Sequence, residues 1–224
     1  SGGQDHFYLE THAAQAVSEE NGAWRILSST QHPTEVQAKV AELMGIGRHQ
    51  VVVESPRMGG GFGGKETQGA HIAQMATLAA HHTGRPVRMR LNRDQDMSST
   101  GKRHGWYSRY EAGFDGDGNL LALRVHTYAD GGWSSDLSPA ILQRCLFHLD
   151  NAYSIPVLHF EGRIARTNIA SNTAFRGFGG PQGVLVIERI LNRAAEQLKV
   201  DPADIRKRNM YRVAPHNVTP FGQT

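Results

Sequence analysis

The tetrapeptide Gly61-Phe62-Gly63-Gly64 returns in this chain as Gly177-Phe178-Gly179-Gly180. Each copy stands just ahead of a helical hydrophobic pattern. Glycine runs let backbone approach a neighbour closely and take up angles that other residues resist. A glycine run opening a helix also presents unpaired N–H groups at the positive end of the helix dipole, which suits an anion. Two such loops in one chain predict a pair of jaws around one charged cofactor.

The chain around them has the makings of a core. It has 224 residues, 39% apolar and 20% charged, enough for one large domain or two small ones. Residues 5–30 read as strands turning at Asn21-Gly22. A helix follows over 32–44, entered through Pro33 and stopped by Gly45, with Val36, Val40, Leu43 and Met44 on one face. Residues 50–55 form a short strand. After the first loop, a helix is expected over 66–82, with Ile72, Met75, Ala76 and Ala79 on one side and Gly84 and Pro86 as its stop. Strands follow at 87–91, 106–114 and 120–129, then a short helix at 139–147 and a strand at 157–166. The second loop leads into a helix over 181–198 whose inner face carries Val184, Ile187, Leu191, Ala195 and Leu198. Asp201-Pro202 opens a last short helix. Strands and helices mix without steady alternation, so the fold class is α+β. Apart from the doubled loop, no repeat is evident. The opening Ser1-Gly2-Gly3-Gln4 and the loop-like close Thr219-Pro220-Phe221-Gly222-Gln223-Thr224 read as cut from a longer polypeptide.

Composition narrows the function classes. The net charge of +3 is too small for a dedicated nucleic-acid binder. The basic run from Arg85 to Arg109 is interrupted by Asp94 and Asp96 and reads as a solvated strand face. A single cysteine, Cys145, allows neither an internal disulfide nor a thiolate metal cluster and fits a reducing cytoplasm. No apolar run reaches membrane-spanning length, so no membrane contact is expected. The histidines lack the His-x-x-x-His and His-Glu-x-x-His spacings, so no zinc site is expected.

Two motifs tempt and fail. Asp115-x-Asp117-x-Asn119 starts like a calcium loop, but Leu120 replaces the required glycine and His126 the closing glutamate, so a hairpin turn is expected. Gly59, Gly61 and Gly64 match a dinucleotide fingerprint, and Gly59, Gly64 and Lys65 most of a triphosphate loop. Glu66 then stands where a hydroxyl should hold Mg²⁺, and its carboxylate repels triphosphate. No acidic residue closes a second strand at the dinucleotide distance.

Four stretches carry a more specific signal. They are Gly2-Gly3-Gln4-Asp5-His6-Phe7-Tyr8-Leu9-Glu10, Arg57-Met58 with the residues through Glu66, Gln143-Arg144-Cys145-Leu146-Phe147-His148, and Asn172 through Gln182. Together they resemble the molybdenum-cofactor-binding domain of the molybdenum hydroxylase family, in its purine-oxidising xanthine dehydrogenase branch. The resemblance runs over essentially the whole chain. It implies that residues 1–224 are the N-terminal part of that domain, with room for two intertwined subdomains, and that the remaining domains or subunits of the same enzyme are its partners.

The resemblance also implies site residues. Molybdenum is held there by a pterin dithiolene (molybdopterin or its cytosine dinucleotide), so the protein supplies only surrounding contacts. The Gln4 amide donates to an oxygen on the metal. Gly61, Phe62 and Gly63 bring backbone against metal and pterin, and Arg176 lies beside the metal, so Gln4, Phe62 and Arg176 surround it. Glu66 and Arg144 hydrogen-bond a purine, and Phe178 packs on its ring. Read locally, Glu66 is also a first-turn helix carboxylate, Arg144 a surface ion-pair partner and Phe178 a core residue. The implied reaction hydroxylates hypoxanthine or xanthine with oxygen from water, electrons leaving through 2Fe-2S and FAD groups held elsewhere. The general-base glutamate is expected downstream, so none of the present residues is catalytic, and the chain alone is expected to be inactive with or without a bound ligand. A non-catalytic binding or assembly domain and an aldehyde or N-heterocycle hydroxylase are the alternatives.

Overall fold

The computed structural model describes residues 1–214 and 217–224. It is built from one unit used twice. In the first copy, strands β1 (Ala13–Ser18) and β2 (Trp24–Ser28) form an antiparallel hairpin with Ala16 opposite Ile26. Strand β3 (Val51–Glu54) pairs parallel to β2. A parallel neighbour needs a crossover, and helix α1 (Pro33–Met44) provides it. The first glycine turn follows, then helix α2 (Gly69–Thr83). Strand β4 (Val87–Arg90) closes the sheet in the order β3-β2-β1-β4.

The second copy repeats this path. Strands β5 (Trp106–Phe114) and β6 (Leu120–Gly132) form an antiparallel hairpin, and helix α4 (Ser138–Phe147) crosses to β7 (Val157–Arg166), which lies parallel to β6. The second glycine turn then leads into α5 (Gly180–Leu198), and α6 (Pro202–Asn209) follows. The sheet order is β5-β6-β7. The sequence discloses only the two turns of this repeat, because the strands of the two copies share their pairing order and not their residues.

Each copy has its own core. Side chains alternate across a strand, so one face of each sheet is apolar. In the first copy Ala14, Ala16 and Ile26 meet Val36 and Val40 of α1 and the stripe Ile72, Ala73, Ala76 and Ala80 of α2. The alanines let α2 lie close to the sheet. In the second, Leu123 and Val125 meet Ile187, Ile190 and Leu191 of α5 and Ile205 of α6. Burying each such aliphatic side chain stabilises the fold by about 1.5–3 kcal/mol.

The expected α+β mixture is what the fold shows. Four local expectations need correction. Residues 5–12 are not a strand; buried side chains hold them, with the Tyr8 hydroxyl donating to Asp96 at 2.6 Å and the His12 backbone N–H to the same carboxylate at 2.7 Å. Helix α2 starts at Gly69 and not at Glu66, because Lys65 to Gln68 still belong to the turn region. Met75 of α2 and Leu43 of α1 point outward. A further helix, α3 (Arg93–Ser99), lies in the basic run, where Asn92 and Gln95 exchange side-chain-to-backbone bonds at 2.8 and 2.9 Å. Asp115 to Asn119 does form a hairpin turn, with the Asp115 carboxylate accepting the N–H groups of Asp117 and Asn119 at 3.0 and 2.8 Å.

Candidate functional site

The two glycine turns meet. The Arg176 N–H donates to the Phe62 carbonyl at 2.8 Å. His6 reinforces the seam: its Nε2 donates to the Ala174 carbonyl at 2.7 Å, and its ring stacks on Phe175 with centroids 4.5 Å apart. Phe62 and Phe178 have left-handed backbones, φ 54° and 49°, and the glycines after them have φ 100° and 94°. In both turns the N–H two residues past the phenylalanine donates to the carbonyl before it: Gly64 to Gly61 at 2.8 Å, Gly180 to Gly177 at 3.0 Å. A left-handed non-glycine residue costs roughly 1–2 kcal/mol, so the surroundings must impose it. A Cβ on Gly63 would lie 2.8 Å from the Ala174 carbonyl, and one on Gly179 would collide with the Ile141 carbonyl.

Behind the first turn two side chains fix it in place. The Gln31 Oε1 accepts the N–H groups of Gly63 at 2.9 Å and Lys65 at 3.2 Å. Lys65 is fully buried and turned inward. Its Nζ donates to the Glu10 carbonyl at 2.7 Å and the Ser29 hydroxyl at 2.8 Å, and it lies 4.5 Å from the centroid of the Tyr8 ring. Burial pulls the Lys65 ammonium below its ordinary range, against the opposing pull of Glu10. The Glu10 carboxylate also accepts the Gly59 N–H at 2.7 Å. Burial works to raise that carboxyl, but the bonds from Gly59, Ser29 and Lys65 outweigh it and hold it low. A triphosphate-loop lysine would reach outward; this one is a strut.

The site residues expected from the sequence are distributed as follows. Gly61, Phe62, Gly63, Arg176 and Phe178 all lie in the joined turns, with Phe62 and Arg176 exposed. Gln4 is exposed, and its carbonyl accepts the Arg103 N–H at 2.9 Å. The Arg103 guanidinium stacks 3.8 Å over Phe175, and its Nη2 donates to the Arg176 carbonyl at 2.9 Å. Gln4 is thus tied to the second turn through Arg103. Phe178 packs against the core of α4 around Ile141, Leu142 and Cys145. Arg144 is exposed on that same helix, one turn past Ile141, and its carbonyl accepts from His148 at 2.9 Å. Glu66 is half-buried directly after the first turn. Burial raises its carboxyl above the ordinary range; His32 opposes this and Asp136 adds to it. Gln68 donates to Asp136 at 2.9 Å, which links the Glu66 segment to the approach to α4.

The helix-dipole expectation holds for one turn only. Gly179 is the N-cap of α5, so the second turn opens directly into a helix, whereas α2 begins only at Gly69. What both turns do share is free donors: the N–H groups of Gly61, Phe62, Gly177 and Gly179 bond to no acceptor among the described residues. Sequence reasoning passed over Gln31, Arg103 and His6 as parts of this assembly. None of them stands in a spacing that signals contact with a turn so far along the chain.

This geometry has relatives. Residues 1–210 match the family of the molybdopterin cofactor-binding domain. The chain is 46% identical over 223 residues to the xanthine dehydrogenase of Emericella nidulans, covering 99% of this chain and 16% of that protein. It is equally 46% identical over 223 residues to the xanthine dehydrogenase/oxidase of Felis catus, covering 99% of this chain and 17% of that one. It therefore spans about a sixth of the length of these relatives. Among solved structures, the aldehyde oxidoreductase of Desulfovibrio gigas superposes with a TM-score of 0.88 at 33% identity, covering 99% of this chain and 24% of that one. The quinoline 2-oxidoreductase of Pseudomonas putida 86 gives 0.86 at 28% identity, covering 100% and 29%. The chain belongs to the molybdopterin cofactor-binding domain family.

Proposed function

We propose that this chain is part of an oxidoreductase that hydroxylates purines at a molybdenum–pterin centre, and that it supplies the positioning residues of that centre. The observation that carries the reading is the direct bond between the two turns, which sets the free N–H groups of both copies and the exposed Phe62 and Arg176 around one seam. An acceptor-rich pterin with its phosphate fits such a donor set. Gly61, Phe62, Gly63 and Arg176 would hold the cofactor, and Gln4 would stand beside it. When bound, the cofactor supplies oxygen transfer from water and takes up two electrons.

The chain's own residues then act on the substrate. Arg144 donates to a ring carbonyl oxygen and stabilises negative charge growing there. Glu66, whose carboxyl is raised by burial, shares a hydrogen with a ring nitrogen. Phe178 packs on the ring face. The proton-abstracting carboxylate, the iron–sulfur and flavin groups, and the remaining contacts to the pterin come from other parts of the same enzyme. No helix of the described residues is long and apolar enough to cross a membrane; the lone buried thiol of Cys145 suits a cytoplasmic setting.

The test is molybdenum and pterin analysis of the full-length protein, with xanthine turnover measured against a dye acceptor. Bound molybdopterin with xanthine oxidation is expected. A protein that folds without molybdenum or pterin would be a non-catalytic assembly domain. One that carries both yet oxidises only aldehydes would match the alternative suggested by the aldehyde oxidoreductase likeness.

A further inference from the structure

We infer that the outward face of the second sheet carries a binding site for a divalent transition metal, formed by His126, His159 and Glu161. Nothing in this inference depends on the pterin reading. His126 is remote in sequence from the other two, but the parallel pairing of β6 and β7 sets it opposite Glu161, and His159 stands two residues before Glu161 on the same face. Their neighbours Val125 and Thr127 point the other way, into the core.

One ligand atom from each of the three lies within 4.8 Å of the others. The His126 Nδ1 and a Glu161 oxygen are already 3.2 Å apart. A tetrahedral zinc with bonds near 2.0–2.1 Å holds its ligand atoms about 3.3 Å from one another. One edge of the site is therefore at metal spacing, and the His159 nitrogen stands within 4.8 Å of both other ligand atoms. A simple His126–Glu161 ion pair has no need of His159, yet the His159 ring lies with its centroid 5.7 Å from that of His126.

The surroundings favour a ligand role for Glu161. Arg163 holds its other oxygen from Nη2 at 2.7 Å and from Nε at 2.8 Å, which leaves the oxygen facing His126 to bind. Metal-binding carboxylates are commonly held in this way. The nearby cations are engaged elsewhere, Arg124 with Glu111 at 3.1 Å and Arg109 with the Tyr107 hydroxyl at 3.1 Å. With one carboxylate offset by Arg163, charge alone attracts little. Selection falls to the two imidazoles, which favour Zn²⁺, Ni²⁺ or Cu²⁺ over Mg²⁺ and Ca²⁺. Three protein ligands on a half-exposed strand face leave room for water or a further group on the metal.

The experiment is zinc titration of the full-length protein against a chromophoric chelator, on wild type and on His159→Gln, His126→Gln and Arg124→Gln. Wild type and Arg124→Gln should hold one zinc that each histidine variant binds at least tenfold more weakly. Copper(II) in its place should show coupling to two imidazole nitrogens by electron paramagnetic resonance, with one lost in each variant. Far-ultraviolet circular dichroism confirms that the variants fold. Equal zinc affinity in wild type and both histidine variants overturns the site, and so does a loss in Arg124→Gln as large as that in His159→Gln.

Discussion

Arg176 donates its backbone N–H to the carbonyl of Phe62, 114 positions earlier, across 2.8 Å, and so joins two turns alike in backbone shape. The bond involves no side chain, so substitution tests it only through the turns on either side.

Gly63→Ala should separate those turns. Its Cβ would meet the Ala174 carbonyl at 2.8 Å, and its φ of 100° is unfavourable for alanine. Gly84→Ala is the control: φ is 63°, but nothing lies within 4 Å of its Cβ. The control should cost about 1–2 kcal/mol through backbone angle alone, and Gly63→Ala roughly 1–3 kcal/mol more through overpacking. Chemical denaturation reads both, and molybdenum content of the full-length protein should fall only for Gly63→Ala.

Lys65→Met leaves the Glu10 carboxylate without its cation. Removing one partner of a buried ion pair costs about 3–5 kcal/mol, and the half-exposed Glu10 places this case at the low end. Adding Glu10→Gln should recover part of the loss, because the unpaired charge is then gone. Additive losses in the double-mutant cycle would show that the two residues do not act as a unit.

His104 gives a pH dependence with a definite sign. It is buried against Ser138, and burial depresses its imidazole to about 4 from 6.5. The folded state therefore binds fewer protons than the unfolded one between those values. Stability should be full above pH 6.5, fall as the pH drops toward 4, and lose on the order of 3 kcal/mol across that window. Trp106, with its ring 6.3 Å from His104, reports local opening by fluorescence. His104→Gln should flatten that part of the curve.

Arg144→Met in the full-length enzyme should lower kcat/KM for xanthine by roughly 1–4 kcal/mol of transition-state stabilisation and leave an aldehyde substrate nearly untouched. Equal losses on both substrates would place Arg144 in the framework and not at a purine.

Cys145 is buried and its thiol is pushed up to about 12, so it should resist an aromatic disulfide reagent until the fold opens. Its labelling rate should track the unfolding of the α4 region and rise between pH 7 and 9 as the opened thiol ionises with the ordinary value of about 8.5.

Much of this was legible in the sequence. Helix α1 could be read because Pro33 and Gly45 mark its ends and Val36 and Val40 its inner face, all local signals. The strands β5 and β6 were readable because Asp115 to Asn119 folds back on itself through its own side chains. The start of α2 was misread because a tertiary bond decides it: the Gln31 side chain claims the Lys65 N–H and holds that residue in the turn. Helix α3 was hidden by its shortness and its charge. At the site, Phe62 and Phe178 announce themselves through their glycines, while Gln31 and Arg103 act through contacts between distant segments that no spacing encodes. The His126–His159–Glu161 group escaped for the same reason, since strand pairing and not sequence interval brings it together.

The doubled architecture carries one more implication. Two equivalent lips facing each other would treat the two ends of a bound molecule alike. The two lips differ in what stands behind them: Lys65 after the first is buried and turned inward, whereas Pro181 after the second leads straight into α5. One jaw is thus braced from behind by a buried cation and the other by the helix it opens, so a change at Lys65 should loosen the first turn and leave the second in place.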